Sequence, residues 1–318
     1  MTLLSSIFSA GVRVRNALYD RSALPIHRLD GPVVSVGNLS VGGTGKTPFV
    51  ILLGTLLKQR GIAFDILSRG YGRSSKNNAA KFVDPGGSPR DFGDEPLLIA
   101  RKLGVPVIVA QERYLGGRLA EEKFGPQLHL LDDGFQHRQL ARDFDIVLLT
   151  PDDVRDRLLP SGRLREPLSS LRRADTLVLT SGAGPEQFPL FGKPLWRLHR
   201  GISVDNVPAA RPVAFCGIAR PQNFFLQLRT AGIEPAAEAV FRDHHAYTAQ
   251  DVRDLLRLAE QSEADGFVTT EKDFINLDGM LSGPLPVAAI PIKMDLLEAD
   301  RALDFMLATI ADRRRRRT

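Results

Sequence analysis

Hydrophobic positions along the chain alternate between two textures. Short aliphatic runs stand at Val33-Val34-Ser35-Val36, Phe64-Asp65-Ile66-Leu67, Val105-Pro106-Val107-Ile108-Val109, Leu128-His129-Leu130-Leu131, Asp145-Ile146-Val147-Leu148-Leu149 and Thr176-Leu177-Val178-Leu179, and each predicts a strand. Between several of them apolar residues recur at helical spacing, from Pro48 through Phe49, Ile51, Leu52, Leu56 and Leu57, from Glu95 to Leu103, and from Glu112 to Lys123. Strand and helix in alternation predict an α/β fold with a mostly parallel sheet covered on both faces. Ligands of such sheets bind beyond the carboxyl ends of the strands, so the polar residues that follow each run are the place to look for chemistry.

The two ends of the chain depart from this rhythm. Leu3, Leu4, Ile7, Phe8, Val12 and Leu18 recur near helical spacing with Arg13, Arg15 and Arg21 among them, predicting an amphipathic helix over 1–25. No apolar run reaches the roughly 18 residues of a transmembrane helix, and the positive charges follow the apolar residues, the reverse of a secretory signal. From the segment alone, a helix lying on an anionic membrane face and a helix packed on its own domain are equally open. After about Arg200 the texture changes. Pro194-Leu195-Trp196-Arg197-Leu198 reads as an extended connector, and a strand begins at Pro212-Val213-Ala214-Phe215. Gly217-Ile218-Ala219-Arg220-Pro221 leads into a helix, another helix begins near Thr248, and Gly266-Phe267-Val268-Thr269-Thr270 is a strand ending in a charged turn. The expected division is a helix at 1–25, a main unit at 26–205, and a smaller α/β unit at 206–318 without a phosphate loop of its own. A chain of 318 residues makes two units the default expectation.

Composition narrows the class only slightly. A hydrophobic content of 43% and a charged content of 25% are ordinary for a soluble globular protein. The single cysteine, Cys216, excludes an intrachain disulfide and a cysteine zinc cluster, and its strand-like setting predicts a buried hydrophobe rather than a nucleophile. The formal charge is +5, and the chain ends in Arg313-Arg314-Arg315-Arg316-Arg317, expected as a disordered solvated tail able to meet anionic surfaces. No interleaved aromatics or RNA-binding signature accompany it, so no nucleic-acid partner is expected.

Chemistry enters at the first strand. Val33 to Val36 leads into Gly37-Asn38-Leu39-Ser40-Val41-Gly42-Gly43-Thr44-Gly45-Lys46-Thr47, and a helix follows. Strand, glycine-rich loop and helix form the context in which Gly42, Gly43, Thr44 and Gly45 turn backbone N–H groups toward a phosphate. Lys46 would reach the β- and γ-phosphates, and the Thr47 hydroxyl would ligate Mg²⁺. The usual spacing has glycine where this chain has Ser40, so the match is to a variant loop with paired glycines. The strand ending at Leu131 runs into Asp132-Asp133-Gly134, and an aspartate at such a strand end holds Mg²⁺ in P-loop enzymes, though Asp-Asp-Gly is also good turn chemistry. Ser68-Arg69-Gly70-Tyr71-Gly72-Arg73 is a cationic, glycine-rich loop suited to phosphates, and Arg163 and Arg165 form a second basic loop. Gly93-Asp94-Glu95-Pro96 opens a helix, where Asp94 in isolation reads as a cap. Asp243-His244-His245 lacks the spacing of a metal site and suits proton handling, because a histidine near a carboxylate titrates close to working pH.

Taken in order, the motifs at Gly37 to Pro48, Ser68 to Gly72, Gly93 to Pro96 and Asp132 to His137 resemble those of the tetraacyldisaccharide 4'-kinases, the lipid A 4'-kinases of Gram-negative bacteria. Leu159 to Pro167, Gly217 to Pro221, Asp243 to His245 and Thr270-Glu271-Lys272-Asp273 extend the likeness over about residues 1 to 280. The resemblance implies a P-loop NTPase-type kinase that phosphorylates the 4'-hydroxyl of a tetraacyldisaccharide 1-phosphate with ATP and Mg²⁺, giving lipid IVA. It implies Lys46 on the transferring phosphoryl group, Mg²⁺ held by Thr47 with Asp132 or Asp133, and Asp94 as the base. It pairs Asp94 with a histidine of the second unit, His244 before His245, and offers Arg69 and Arg165 for phosphate contacts. It also tips the N-terminal helix toward the cytoplasmic face of the inner membrane, with the lipid substrate and an anionic surface as partners and no obligate protein partner. The alternative is a P-loop ATPase or GTPase of the membrane-partitioning or metallochaperone type, which lacks support from a guanine-reading motif or a Cys/His cluster.

Overall fold

Every residue of strand β1 (Val33–Asn38) is buried, as a central strand covered on both faces must be. The structure is a computed structural model, and it describes residues 3–71, 73, 79–180, 184–205 and 207–317. Gly72 of the cationic loop lies outside the described residues.

Helix α1 (Leu3–Asp20) precedes β1, and α2 (Lys46–Gln59), β2 (Phe64–Ser68), β3 (Lys81–Phe82), α3 (Pro89–Phe92), α4 (Asp94–Leu103), β4 (Val107–Val109), α5 (Arg113–Phe124) and β5 (Leu128–Asp132) follow it. The chain continues through β6 (Phe144–Leu149), α6 (Pro151–Arg155), β7 (Thr176–Thr180) and β8 (Leu195–Ile202). Next come β9 (Val213–Cys216), α7 (Pro221–Thr230), β10 (Ala237–Val240), α8 (Ala249–Gln261), β11 (Phe267–Thr270), α9 (Glu271–Leu277) and β12 (Val287–Ile290). Strand β13 (Ile292–Leu296) and helix α10 (Ala299–Arg315) close the chain.

The large sheet has the order β13-β8-β7-β6-β1-β5-β2-β4-β3, with β13 and β3 antiparallel at the edges and the strands between them parallel. On one face Phe49, Leu53 and Leu57 of α2, Leu97 and Leu103 of α4, and Leu303, Met306 and Ile310 of α10 share a core with Val34 and Val36. Each such side chain taken out of water contributes about 1.5–3 kcal/mol, which is why the helical spacing of these residues decides where the helices dock. The chain steps outward from β1 to β2 and β4, returns to β5 beside β1, and then crosses to β6 on the other side. That reversal opens a crevice at the carboxyl ends of β1 and β5, where Val36 lies in register with Asp132.

The second sheet, β10-β9-β11-β12, is wholly parallel. Val213 and Phe215 face one of its two cores and Ala214 and Cys216 the other. Cys216 is fully buried, and burial with the nearby Asp273 carboxylate pushes its thiol up to about 12, so it is an inert hydrophobe as its setting predicts.

Three segments differ from expectation. The run at Pro194 to Leu198 is no connector, since β8 pairs with both β7 and β13 inside the large sheet. Strand β13 and helix α10, grouped by the sequence reading with the smaller unit, lie on the large sheet. The C-terminal arginines are not a disordered tail. They extend α10 to Arg315, where Arg313 pairs with Asp175 and donates to the Asp143 carbonyl at 2.8 Å, and Arg317 donates to Asp143 at 2.6 Å. These carboxylates stand at the starts of β6 and β7, far away in sequence, and cations at a helix C-terminus are also favoured by its dipole.

Candidate active site

The carboxyl ends of both parallel sheets converge on one cleft of about 1220 Å³. Loops after β1, β2, β5 and β6 and the end of β7 reach it from the large sheet, and loops after β9, β10 and β11 reach it from the small one. Gly42, Gly43, Thr44, Gly45, Lys46, Thr47, Arg69, Asp132, Asp133, Arg165 and His244 all line it, so residues scattered over two hundred positions meet at one place.

The phosphate loop owes its shape to two glycines. Gly42 (φ 103) and Gly45 (φ 87) take left-handed conformations, whereas Ser40 does not, so the serine at the usual glycine position costs the loop nothing. Asn38 fixes the loop from within by donating to the Ser40 carbonyl at 2.8 Å and the Thr44 hydroxyl at 2.9 Å. Helix α2 begins directly at Lys46 and carries no side-chain cap, which leaves its first N–H groups directed at the cleft.

Asp133 follows β5 in a left-handed conformation (φ 52), and this turn aims its carboxylate back at the loop. It lies 3.6 Å from Lys46 Nζ and accepts from Arg165 at 2.8 Å. Burial opposes its ionisation most strongly, but these two cations outweigh burial and hold the carboxyl below its usual range. Asp132 is the contrasting partner. Burial, then the charges of Glu95 and Asp133, push it up to about 7. Asp132 Oδ1 and Asp133 Oδ1 are buried and accept no hydrogen bond, although Asp133 Oδ1 keeps its ion pair with Lys46. A buried acidic oxygen without a donor at a strand end suits a hard divalent cation. Among the described residues no group of three or more His, Cys, Asp or Glu side chains is placed to hold a metal ion.

Asp94, 4% exposed at the start of α4, does not line this cleft but a smaller adjoining cavity of about 360 Å³, and Tyr71 and His244 line both. Asp94 Oδ1 accepts from the Glu95 N–H at 2.8 Å, but the N-cap position is Gly93, so Asp94 lies in the first turn and does not cap the helix. Its Oδ2 looks away from its own helix, 3.1 Å from His244 Nδ1 and 3.0 Å from the Asn276 amide that donates to it. Burial again opposes ionisation most, and the His244 hydrogen bond with the Lys272 charge outweighs it, holding Asp94 below the usual carboxylate range. His244 rather than His245 makes this contact. It sits in a left-handed conformation (φ 56) with its N–H bonded to the Gly217 carbonyl, while His245 turns to Asp251 at 3.1 Å. Strain of this kind at a non-glycine residue costs about 1–3 kcal/mol and persists where the surroundings impose it.

Sequence reasoning missed several residues here. Arg200 of β8 reaches the phosphate loop, with a guanidinium nitrogen 3.6 Å from where a side chain on Gly45 would begin, and its Nε is buried without a hydrogen bond. Arg113 is 4% exposed behind the aspartates, pushed down to about 10 by burial and by Arg69. Lys272 and Asn276, from α9, flank the Asp94–His244 pair. Arg200 lay just past the presumed connector at Pro194 to Leu198, and Lys272 lay in a motif whose partners are distant in sequence.

The family model described as tetraacyldisaccharide-1-P 4'-kinase matches residues 1–311. A protein of Koribacter versatilis named tetraacyldisaccharide 4'-kinase is 53% identical over 98% of this chain and 99% of that protein. One of the same name from Aquifex aeolicus is 41% identical over 86% of this chain and 88% of its own length. The crystal structure of the "apo" form of LpxK from Aquifex aeolicus in complex with ATP superposes with a TM-score of 0.77 at 38% identity, covering 96% of this chain and 97% of that one. With a cleft that joins a phosphate loop to His244, the partner of a buried aspartate, and a family match spanning nearly its whole length, this chain belongs to the tetraacyldisaccharide-1-P 4'-kinase family.

Proposed function

We propose that the chain transfers the γ-phosphoryl group of ATP to the 4'-hydroxyl of a tetraacyldisaccharide 1-phosphate. The observation that carries this reading is the contact of an ionised Asp94 with His244, a residue that itself lines the cleft holding Lys46 and the phosphate loop. Lys46, the loop N–H groups and the N-terminus of α2 gather negative charge from the transferring phosphoryl group. Asp94 accepts the proton of the attacking hydroxyl, and His244 orients its carboxylate. Arg165, now on Asp133, and Arg69, exposed at the cleft mouth, are the cations for further phosphate contacts. Thr47 and Asp132 or Asp133 would hold Mg²⁺, which supplies positive charge to the phosphate oxygens when bound.

Membrane contact follows from α1, whose outer face is apolar. Leu4, Ile7, Val14 and Leu18 are exposed, while Ser5, Ser9 and Tyr19 are buried against the protein. Phe8, Val12 and Arg15 of the same helix line the cleft, so a lipid in the cleft would run out along this stripe. Among the described residues no helix is long and apolar enough to cross a membrane. An apolar stripe beside Arg13, Arg15 and Arg21 suits the anionic cytoplasmic leaflet of the inner membrane.

The test is transfer of label from γ-labelled ATP with Mg²⁺ to tetraacyldisaccharide 1-phosphate in detergent micelles. Label at the 4'-position, lost in Lys46→Ala and Asp94→Ala, supports the assignment. ATP hydrolysis without labelled lipid refutes it.

A further inference from the structure

Lys272 is the one charged group of the Thr270-Glu271-Lys272-Asp273 turn that the reaction above leaves without a task. Its neighbour Asp273 is structural, fully buried and accepting from the Gly217 N–H at 2.9 Å and the Tyr247 hydroxyl at 3.0 Å. Lys272 instead enters the cleft from the first turn of α9 and places Nζ 3.0 Å from His244 Nε2. The same ammonium lies 3.4 Å from Glu95, 3.8 Å from Asp94 and 3.9 Å from Asp243.

An ammonium can only donate. His244 Nε2 must therefore accept, so the imidazole carries its proton on Nδ1, facing Asp94 Oδ2 at 3.1 Å. We propose that Lys272 is a positioning residue of the phosphoryl-transfer site, fixing His244 as the uncharged Nδ1–H tautomer so that the ring orients an ionised Asp94. The proposal rests on the reading of Asp94 as the base. Its core is a chain of contacts, Lys272 to His244 to Asp94, assembled from α9, the loop after β10 and the start of α4.

The surroundings explain why Lys272 keeps its charge. Burial works against it most, but Glu95, Asp94 and Asp243 raise its pKa above the ordinary value. Glu271 beside it is engaged by Lys102 of α4 and does not compete for Nζ. Facing His244 are Asp94 and Glu95 from α4, Lys272 from α9, Asp243 on its own loop, and the Tyr71 ring at 5.2 Å. Burial lowers the pKa of His244 most, the Asp94 hydrogen bond together with the Asp94 and Glu95 charges outweighs it, and Lys272 opposes that rise. Removing the ammonium thus lets the ring take a second proton at higher pH and also removes a cation that keeps Asp94 ionised. Both changes have the same sign, toward a protonated pair.

The test is the pH dependence of kcat and KM for the full chain and for Lys272→Met, Lys272→Arg, His244→Ala, Asp94→Ala and the Lys272→Met/His244→Ala double variant. A positioning loss of roughly tenfold to a hundredfold in kcat is expected for Lys272→Met. KM for ATP should change little, the acid limb should move to higher pH, and Lys272→Arg should recover part of the loss. On the pH plateau, where Asp94 is ionised in both, the double variant should be no slower than His244→Ala, because Lys272 positions the base through the ring. An unmoved acid limb, or a double variant slower by the product of the single losses, overturns the proposal. The ¹⁵N shifts of the His244 ring in the unmodified protein decide the matter if Lys272→Met does not fold, since protonation at Nε2 overturns it and protonation at Nδ1 supports it. Full transfer by Asp94→Ala would instead overturn the underlying assignment of the base, and this inference with it.

Discussion

A methyl group at position 93 should disable the site without touching a reacting atom. Gly93 ends α3 and precedes Asp94, with φ 90 and ψ 152, a conformation open essentially to glycine alone. A Cβ built there lies 2.6 Å from the Tyr71 carbonyl oxygen and 3.3 Å from the Gly70 carbonyl carbon. Both are backbone atoms of the cationic loop, so no side chain can swing aside to make room. The disfavoured backbone costs about 1–3 kcal/mol. Overpacking adds about 1–3 kcal/mol. The total of about 2–6 kcal/mol is a large part of the roughly 5–15 kcal/mol that holds a native protein together. At about 2–4 °C per kcal/mol, Gly93→Ala should melt roughly 5–20 °C lower. Relief of the clash must shift either the Gly70–Tyr71 backbone or the start of α4, and a 1 Å displacement of Asp94 costs about 10² in rate. The assay pairs thermal unfolding with lipid phosphorylation at a temperature where the variant is folded. An alanine variant within about 2 °C of the parent in Tm, with kcat within about threefold, would refute the claim that this backbone positions the base.

Three further outcomes are expected. Asp94→Asn, which keeps the shape of the side chain, should lower kcat by about 10²–10⁴, or about 3–5 kcal/mol of barrier, with ATP binding near normal; transfer at the parental rate would leave Asp94 only its place in the first turn of α4. Replacing the exposed Leu4 and Ile7 of α1 by glutamate should weaken binding to anionic lipid vesicles by at least about tenfold while leaving ATP affinity unchanged, as read by vesicle co-sedimentation and nucleotide titration. Buried His129 lies between Asp65 at 2.9 Å and Glu121 at 3.3 Å, and although burial opposes it most, these partners raise its pKa. A raised folded-state value means that its contribution to stability is complete below the unfolded value near 6.5 and fades as pH climbs through the folded one. The denaturant midpoint should fall over that interval in the parent, and a flat midpoint, or an equal fall in His129→Gln, would contradict this account.

The architecture was legible because burial writes itself locally. A strand such as β1, covered on both faces, must be apolar throughout, and helices α2, α4 and α5 must place apolar residues on one side, so the pattern marked them within a residue or two. The phosphate loop was equally local, since Gly42, Gly45, Lys46 and Thr47 act within one turn of chain. What the sequence could not supply was partnership across distance. Five consecutive arginines look like a solvated tail until Asp143 and Asp175 arrive from the starts of β6 and β7. Strand β8 looks like a connector because its identity lies in its neighbours β7 and β13. In α1, helical spacing predicted an amphipathic helix but not which face turns inward, and tertiary packing buried Ser5 and Ser9 and left Leu4, Ile7 and Val14 outside. Asp94 is the sharpest case. Alone it reads as a helix cap, yet it accepts the Glu95 N–H from the first turn while Gly93 holds the cap position; only the fold brings His244, Asn276 and Lys272 to its other oxygen from more than a hundred residues away. Periodicity and loop chemistry are properties of neighbours in the chain, whereas the charge state of a buried group is set by neighbours in space.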